Sequence, residues 1–408
     1  MSTEQTDVTI VGAGAAGIGV GVALSMLDLD VRILERKEIG ASFRQWPDEM
    51  RFITPSFPSN GFGLTDLNAV TPDSSPAFTL DREHPSGDEY ADYLEAIAEF
   101  YELPVETGVT VTGIRPRADS PAATPAAADG GTVTAESGEN GFVIETTAGP
   151  QSTEHVVWAA GHFGSPRTNV VDGAEHCQHT CTVDSWQEHV ESSPTNEFLV
   201  IGGYESGIDA AVGLHEAGAS VQVLDRGWPW AERHPDPSEV LSPYTLERLD
   251  AIAESDRLSV HGGAVVESVS RTECFRVDVR SADGETPEFV DSKTVPDSYT
   301  VPTRPLLATG FEPNFGPAES LFSVDDGTVE LTDRDESTET PGLFLAGPDV
   351  VHNGVMFCFI YKFRARFPVI AEEIGDRLGV DTDALDVYRE QNMFLDDLSC
   401  CEPDMCDC

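Results

Sequence analysis

The sequence predicts an α/β fold in which one Rossmann-like, dinucleotide-binding unit occurs twice. Three observations carry this expectation. Residues 8–36, VTIVGAGAAGIGVGVALSMLDLDVRILER, and residues 198–226, FLVIGGYESGIDAAVGLHEAGASVQVLDR, share one layout: a β-rich run, a glycine-rich turn, a helix-like stretch, then a second β-rich run ending in an acid and an arginine. The step from first glycine to acid is 23 residues in both, from Gly12 to Glu35 and from Gly202 to Asp225. The chain is 408 residues long, which suits two domains of ordinary size.

In the first copy the turn is Gly12-x-Gly14-x-x-Gly17. Gly12 makes the tight turn, Gly14 lets backbone approach a pyrophosphate, and Gly17 lets helix and strand pack closely. The free N–H groups at the helix start face the diphosphate. Glu35 closes the next strand, where a carboxylate accepts hydrogen bonds from the ribose hydroxyls; Arg36 adjoins it. The bland reading is a tight βα turn that holds nothing. In the second copy, Gly202-Gly203-Tyr204-Glu205-Ser206-Gly207, Tyr204 replaces the middle glycine. The expectation is that its backbone approaches a pyrophosphate less closely without strain, leaving Ser206 and the helix start to hold phosphate. Asp225 favours an unphosphorylated ribose and Arg226 a 2′-phosphate, so NADH and NADPH both stay open. The spacing G-x-x-S-G differs from G-x-S-x-G and excludes a nucleophile elbow.

Composition narrows the partners. Asp and Glu number 72 against 24 Lys and Arg, a net charge of −48, and the acids are spread along the chain. Such a polyanion repels phosphate backbones and anionic membranes, so nucleic acid and membrane are not expected partners. The balance resembles that of proteins from extreme halophiles, where salt screens the self-repulsion. The start of the chain is acidic and polar, unlike a signal peptide, and the longest apolar stretch, 354–361, is too short to span a bilayer. A cytoplasmic protein is expected.

Two more β-rich runs end abruptly in glycine, at Ala159-Ala160-Gly161 and Ala308-Thr309-Gly310, and a third reads Leu343-Phe344-Leu345-Ala346-Gly347-Pro348-Asp349. Arranged around the two glycine-rich units, these segments make the chain resemble flavoproteins with two dinucleotide-binding domains. That pyridine nucleotide oxidoreductase superfamily includes thioredoxin reductases, flavin-containing monooxygenases and bacillithiol-disulfide-reductase-like proteins. The resemblance runs from residue 8 to about residue 395. It implies two Rossmann-like, three-layer (ββα/βαβ) domains: an FAD domain of residues 1–165 and 301–395, an inserted NAD(P)H domain of residues 166–300, and a Cys-rich tail of residues 396–408. It implies that Gly161 and Gly310 link the domains, that Asp349, after Gly347 and an inserted proline, meets the FAD ribitol, and that Val109 meets adenine through its backbone. Gly40-Ala41-Ser42-Phe43-Arg44-Gln45-Trp46 resembles the G-G-T-W segment of the monooxygenases. Trp46 is either a flavin contact or ordinary core packing. Tyr204 instead fits the bacillithiol-reductase-like branch.

Two absences matter. No cysteine precedes Cys177, so the flavin-proximal pair of the large disulfide reductases is missing. The monooxygenase pattern F-x-G-x-x-x-H-x-x-x-W is not met either. No general acid or base is named by a motif; Asn60 lies in a loop within reach of a flavin. The stretch 357–374, with Lys362, Arg364 and Arg366, reads as one helix bearing the densest positive patch, expected to pair with neighbouring acids. Residues 116–139 read as an exposed loop.

The cysteines leave alternatives. Cys400, Cys401, Cys406 and Cys408 crowd the last nine positions. They suit a soft metal ion or a mobile dithiol, against a neutral tail with chance cysteines. His176, Cys177, His179 and Cys181 are close enough to hold a metal, but neighbouring ligands close poorly into a tetrahedron, and an ordinary loop is favoured. Cys274 and Cys358 are expected in cores. The leading expectation is an FAD-dependent NAD(P)H oxidoreductase passing electrons to oxygen with a small organic substrate, or to a thiol/disulfide partner; a homodimer is compatible with this. The alternative is a redox-linked metal-binding protein acting through the tail.

Overall fold

The computed structural model describes residues 5–58, 65–117, 141–231, 238–282, 295–325 and 327–400. The chain opens with β1 (Gln5–Val11), α1 (Ala15–Ser25) and β2 (Val31–Glu35). β1 and β2 pair in parallel, as a βαβ unit requires. Every residue from Ala15 to Leu24 is buried. This helix is apolar all round because the sheet and two later helices cover it, and its small residues let them approach: a Cβ on Gly19 would overlap the Phe367 ring. Then come α2 (Pro76–Leu80) and α3 (Gly87–Phe100), the second started by a capping box between Ser86 and Glu89. β3 (Val105–Thr107), β4 (Val111–Pro116), β5 (Phe142–Thr146) and β6 (Gln151–Trp158) complete the sheet in the order β3-β2-β1-β6-β5-β4.

A second set of elements follows before the chain returns. β7 (Gln178–His179), α4 (Trp186–Ser192), β8 (Glu197–Ile201), α5 (Glu205–Glu216), β9 (Ser220–Leu224), α6 (Pro243–Ile252) and β10 (Leu258–His261) lead to an antiparallel sheet of β11 (Ala264–Arg271), β12 (Phe275–Ser281) and β13 (Ser298–Val301). β14 (Leu306–Leu307) then joins a five-stranded parallel sheet, β10-β9-β8-β14-β7. Side chains alternate across β8. Phe198 and Val200 face a core shared with α4, α5 and α6, while Leu199 and Ile201 face a core shared with the antiparallel sheet. A strand buried on both faces reads as an unbroken apolar run. The result is three layers. The chain next re-enters the first sheet at Leu343–Leu345, parallel to β6, and continues through α7 (Ile360–Phe363) and α8 (Phe367–Leu378) to a short helix at Asp386–Glu390.

Direct contacts join the two sets. Glu49 caps α4, accepting from the Ser185 hydroxyl (2.8 Å) and the Trp186 and Gln187 amides (2.9 and 3.1 Å). Burial pushes the Glu49 carboxyl up, but these donors outweigh it and hold it below its ordinary pKa. His84 stacks on Tyr244 at 3.9 Å.

The structure corrects three expectations. Residues 357–374 are not one helix: a 3₁₀ turn at Arg364–Arg366 separates α7 from α8. Pro368 lies in the first turn of α8, where its missing N–H is harmless, whereas deeper in a helix it would break a backbone bond. The expected pairing with acids holds for Arg366 but not for Arg364; the two are 1% and 3% exposed. Arg366 pairs with Asp335 at 2.9 Å; Arg364 instead donates to the Asp66, Ala69 and Thr65 carbonyls, and burial lowers its pKa to about 10. Cys274 and Cys358 are only partly buried. Residues 118–140, Asn60, Cys401, Cys406, Cys408 and the side chain of Cys400 lie outside the described residues. Among the described residues, no helix is long and apolar enough to cross a membrane, and no cluster is arranged to hold a metal ion. His179 Nε2 is instead 3.1 Å from the Gly310 carbonyl oxygen.

Candidate functional site

The first glycine-rich turn is built by close approach. Gly12 follows β1 at φ +107°, and a Cβ there would lie 2.5 Å from the Ala159 carbonyl oxygen, so both conformation and space demand glycine. A Cβ on Gly17 would overlap the Gly12 carbonyl, which shows how tightly α1 presses on the strand. Gly14 is the N-cap of α1 and brings no side-chain cap; beyond it lies open space, since a Cβ there would come no nearer than 4.0 Å to any neighbour, the Ser42 hydroxyl. Uncapped N–H donors therefore face a void at the positive end of a helix without acids in its first turn. Glu35 is buried at the edge of this void. Its oxygens accept from the Ala13 amide (2.9 Å) and the Lys37 amide (2.8 Å), which fixes the carboxylate.

The void is part of a cavity of about 520 Å³. Gly12, Gly14, Glu35, Arg36, Trp46, Val109 and Gly161 all line it, and so does Ser206 from the second unit. Val109 donates its amide to the Glu35 carbonyl at 2.9 Å. Trp46 packs edge-on to Phe43 (5.4 Å) and against Phe52 (4.9 Å), and all three rings reach the cavity wall, so Trp46 is both core packing and lining. Gly347 backs the cavity: a Cβ there would touch Ala16 at 3.4 Å. Asp349 lies behind Pro348, and its Oδ1 is 2.9 Å from Nδ1 of the lining residue His162. The His162 ring lies parallel to Phe311, 5.5 Å away.

The second turn repeats the first. Gly202 has φ +103° and its Cβ would overlap the Ala308 carbonyl; a Cβ on Gly207 would overlap the Gly202 carbonyl. Asp225 accepts from the Gly203 amide (2.6 Å) and the Gly227 amide (2.7 Å), as Glu35 does in its own unit. Tyr204 differs from the expectation. Its φ and ψ, −87° and −165°, nearly equal the −83° and −168° of Gly14, so its backbone is unstrained. Its side chain leaves the turn, and its hydroxyl donates to the Val240 carbonyl at 2.6 Å. Glu205 is tied to Ser242 and Thr245 at the start of α6, and burial raises its pKa. Asp209 pairs with Arg248 at 2.6 Å; burial raises its pKa, and Arg248 opposes that. Glu205, Ser206 and Asp209 carry the second unit to the cavity; Gly202, Gly203, Gly207, Asp225, the exposed Arg226 and Gly310 do not line it.

Sequence reasoning missed His162, Asp209 and Cys358 as lining residues. His162 directly follows Gly161, so the strand-end motif marked its neighbourhood. Cys358 and Asp209 carried no motif.

The chain matches the pyridine nucleotide-disulphide oxidoreductase family over residues 9–123 and 131–347. It is 27% identical to bacilliredoxin reductase Bdr of Bacillus subtilis (strain 168) over 243 residues, 58% of this chain and 67% of that protein. Bacillithiol disulfide reductase Bdr from Staphylococcus aureus has a similar structure, with a TM-score of 0.67 at 18% identity, covering 92% of this chain and 99% of that one. A flavin-containing monooxygenase from Stenotrophomonas maltophilia aligns with a TM-score of 0.64 at 16% identity, over 92% and 99% of the two chains. The family match spans both glycine-rich units: the chain belongs to the pyridine nucleotide-disulphide oxidoreductase family and is an FAD-dependent NAD(P)H oxidoreductase.

Proposed function

We propose that the protein uses NAD(P)H, through FAD, to reduce a small-molecule thiol disulfide. One observation carries the reading: a single cavity is bounded by the first glycine-rich turn and by the first turns of α5. When bound, FAD supplies a two-electron carrier between hydride donor and acceptor. The chain holds and orients it. Gly12, Gly14 and Gly17 with the start of α1 cradle its pyrophosphate, Glu35 with Arg36 addresses the ribose, and Val109 flanks adenine. Trp46 and Gly161 border the rest, and Gly347 and Asp349 back the ribitol. Gly202, Gly203, Ser206 and Gly207 hold the NAD(P)H pyrophosphate, Asp225 and Arg226 its ribose, and Gly310 closes the return to the flavin domain. In this reading residues 1–165 with 301–395 form the flavin domain and residues 166–300 the nicotinamide domain. A disulfide acceptor is supported by the family description and by the names of the two Bdr relatives.

The test is anaerobic. Holoprotein bleached by NADH or NADPH is mixed with cystine in one arm and with oxygen in the other. The expected result is recolouring by cystine, with one disulfide consumed per hydride. Recolouring by oxygen alone, with no thiol released, overturns the proposal.

A further inference from the structure

The two units hold their acids by one wiring. In the first, the Glu35 oxygens accept from the amide after the first glycine (Ala13, 2.9 Å) and from the amide two residues beyond the acid (Lys37, 2.8 Å). In the second, the Asp225 oxygens accept from the amides at the same two places, Gly203 (2.6 Å) and Gly227 (2.7 Å). The backbone around them agrees: Gly12 and Gly202 each donate to the carbonyl of the residue before the acid, Leu34 and Leu224, at 2.8 Å. Each carboxylate is thus fixed through both oxygens and keeps one further lone-pair site on each. A vicinal diol fits those sites, because it brings two O–H donors. A phosphate in place of the 2′-hydroxyl takes one donor away and adds about −1.5 to −2 charges of the same sign as the carboxylate. With both oxygens tied to backbone, the carboxylate is not free to swing aside.

Arg226 invites the opposite reading, as the counter-charge to a 2′-phosphate. The first unit argues against it. Arg36 stands at the equivalent place, directly after Glu35, and lines the cavity in which the reading above seats FAD. The adenosine ribose of FAD carries no 2′-phosphate. An arginine after the acid therefore belongs to the layout that the two units share. Arg226 is exposed and is the only cation among residues 220–231. The neighbouring wall is aromatic: a Cβ on Gly203 would lie 2.8 Å from the Trp230 ring, Trp228 packs over Gly262 and Gly263, and the two indoles are 6.2 Å apart. Phosphate sites rely on fixed cations in bidentate geometry, and one exposed arginine beside a fixed carboxylate does not make one.

We propose that Asp225 makes the protein select NADH over NADPH, an inference that rests on the placement of the nicotinamide cofactor at the second turn proposed above. Asp225 accepts from the 2′- and 3′-hydroxyls of the adenosine ribose, as Glu35 does from those of FAD. It rejects the 2′-phosphate by like charge and by the loss of a donor. Asp225 does not line the cavity, so its effect falls on nicotinamide binding and not on the hydride step at saturation.

The test uses holoprotein, in which FAD fills the first site. Calorimetry measures the binding of ADP-ribose and of 2′-phospho-ADP-ribose, which differ only in the phosphate and carry no hydride. Anaerobic rapid mixing measures flavin bleaching against NADH and NADPH concentration. ADP-ribose is expected to bind about tenfold or more tighter than its 2′-phosphate, and NADH to half-saturate bleaching at a concentration lower by the same factor, with limiting rates within about twofold. Asp225→Ser is expected to bring the two fragments within about threefold of each other. Equal or tighter binding of the phosphorylated fragment by the unaltered protein overturns the proposal, whether or not the variant folds. A tenfold preference that survives Asp225→Ser overturns it as well. If ADP-ribose binds Gly202→Val as tightly as the unaltered protein, the placement at the second turn fails, and this inference fails with it.

Discussion

The two glycine-rich turns share backbone geometry and differ in what stands before the helix. In the first, Gly14 opens onto empty space and α1 begins with Ala15-Ala16-Gly17, free of charge. In the second, Tyr204 holds almost the same φ and ψ, yet its side chain is fastened to the Val240 carbonyl, Glu205 is fastened to α6, and Trp230 crowds Gly203. The comparison separates two jobs that the motif runs together. The outer glycines are demanded by close contact, at Ala159 and Ala308 and at the turn carbonyls. The middle glycine is demanded by no dihedral, only by the space a ligand needs. A tyrosine can therefore stand there once its ring is led away, and the second turn gains ties to residues 238–245 that the first lacks.

Breaking the shared part has the largest effect. Gly12→Val places a β-branched side chain at φ +107° against the Ala159 carbonyl, and the purified protein is expected to lose its flavin absorbance altogether. Next comes a charge that only the second helix carries. Arg248→Ala leaves Asp209 buried and unpaired, at an expected cost of about 3–5 kcal/mol, read by denaturant unfolding.

The first set has its own titratable group in His155 on β6, whose pKa burial lowers to about 4, with Arg377 adding to the effect. Between that value and the unfolded pKa near 6.5, the unfolded chain binds a proton that the native one does not. Stability is therefore full above about pH 6.5, falls as pH drops towards 4 and levels off below, losing roughly 3 kcal/mol from this residue. His155→Gln is expected to flatten that part of the stability–pH profile. The smallest effect sharpens the comparison: Tyr204→Phe removes only the hydroxyl that faces the Val240 and Ser238 carbonyls and is expected to cost about 1 kcal/mol, measured by thermal unfolding.

The parts legible in the sequence are those where geometry forces residue type. Glycines pressed against carbonyls, and acids placed 23 residues on to collect two amides, left a repeat that one chain alone reveals. The order of the strand-end glycines carried the family resemblance. Less was legible where neighbours come from distant segments. Tyr204 looked like a strained substitution because its φ is invisible in the sequence. The partners of Arg364 and Arg366 were not legible, because they lie about 300 and 31 positions away. Cys358 looked like core filling, because the Ser238 hydroxyl beside its sulfur lies 120 positions away in the chain.

The central claim is that the second glycine-rich turn delivers a nicotinamide to a flavin seated by the first. Anaerobic rapid mixing of Gly202→Val with NADH and NADPH tests it most directly, because this substitution disturbs the second turn and leaves the first intact. The expected result is a yellow protein whose bleaching is slowed about a hundredfold or more at fixed nicotinamide concentration. Bleaching at the unaltered rate would contradict the claim, since hydride would then reach the flavin without that turn.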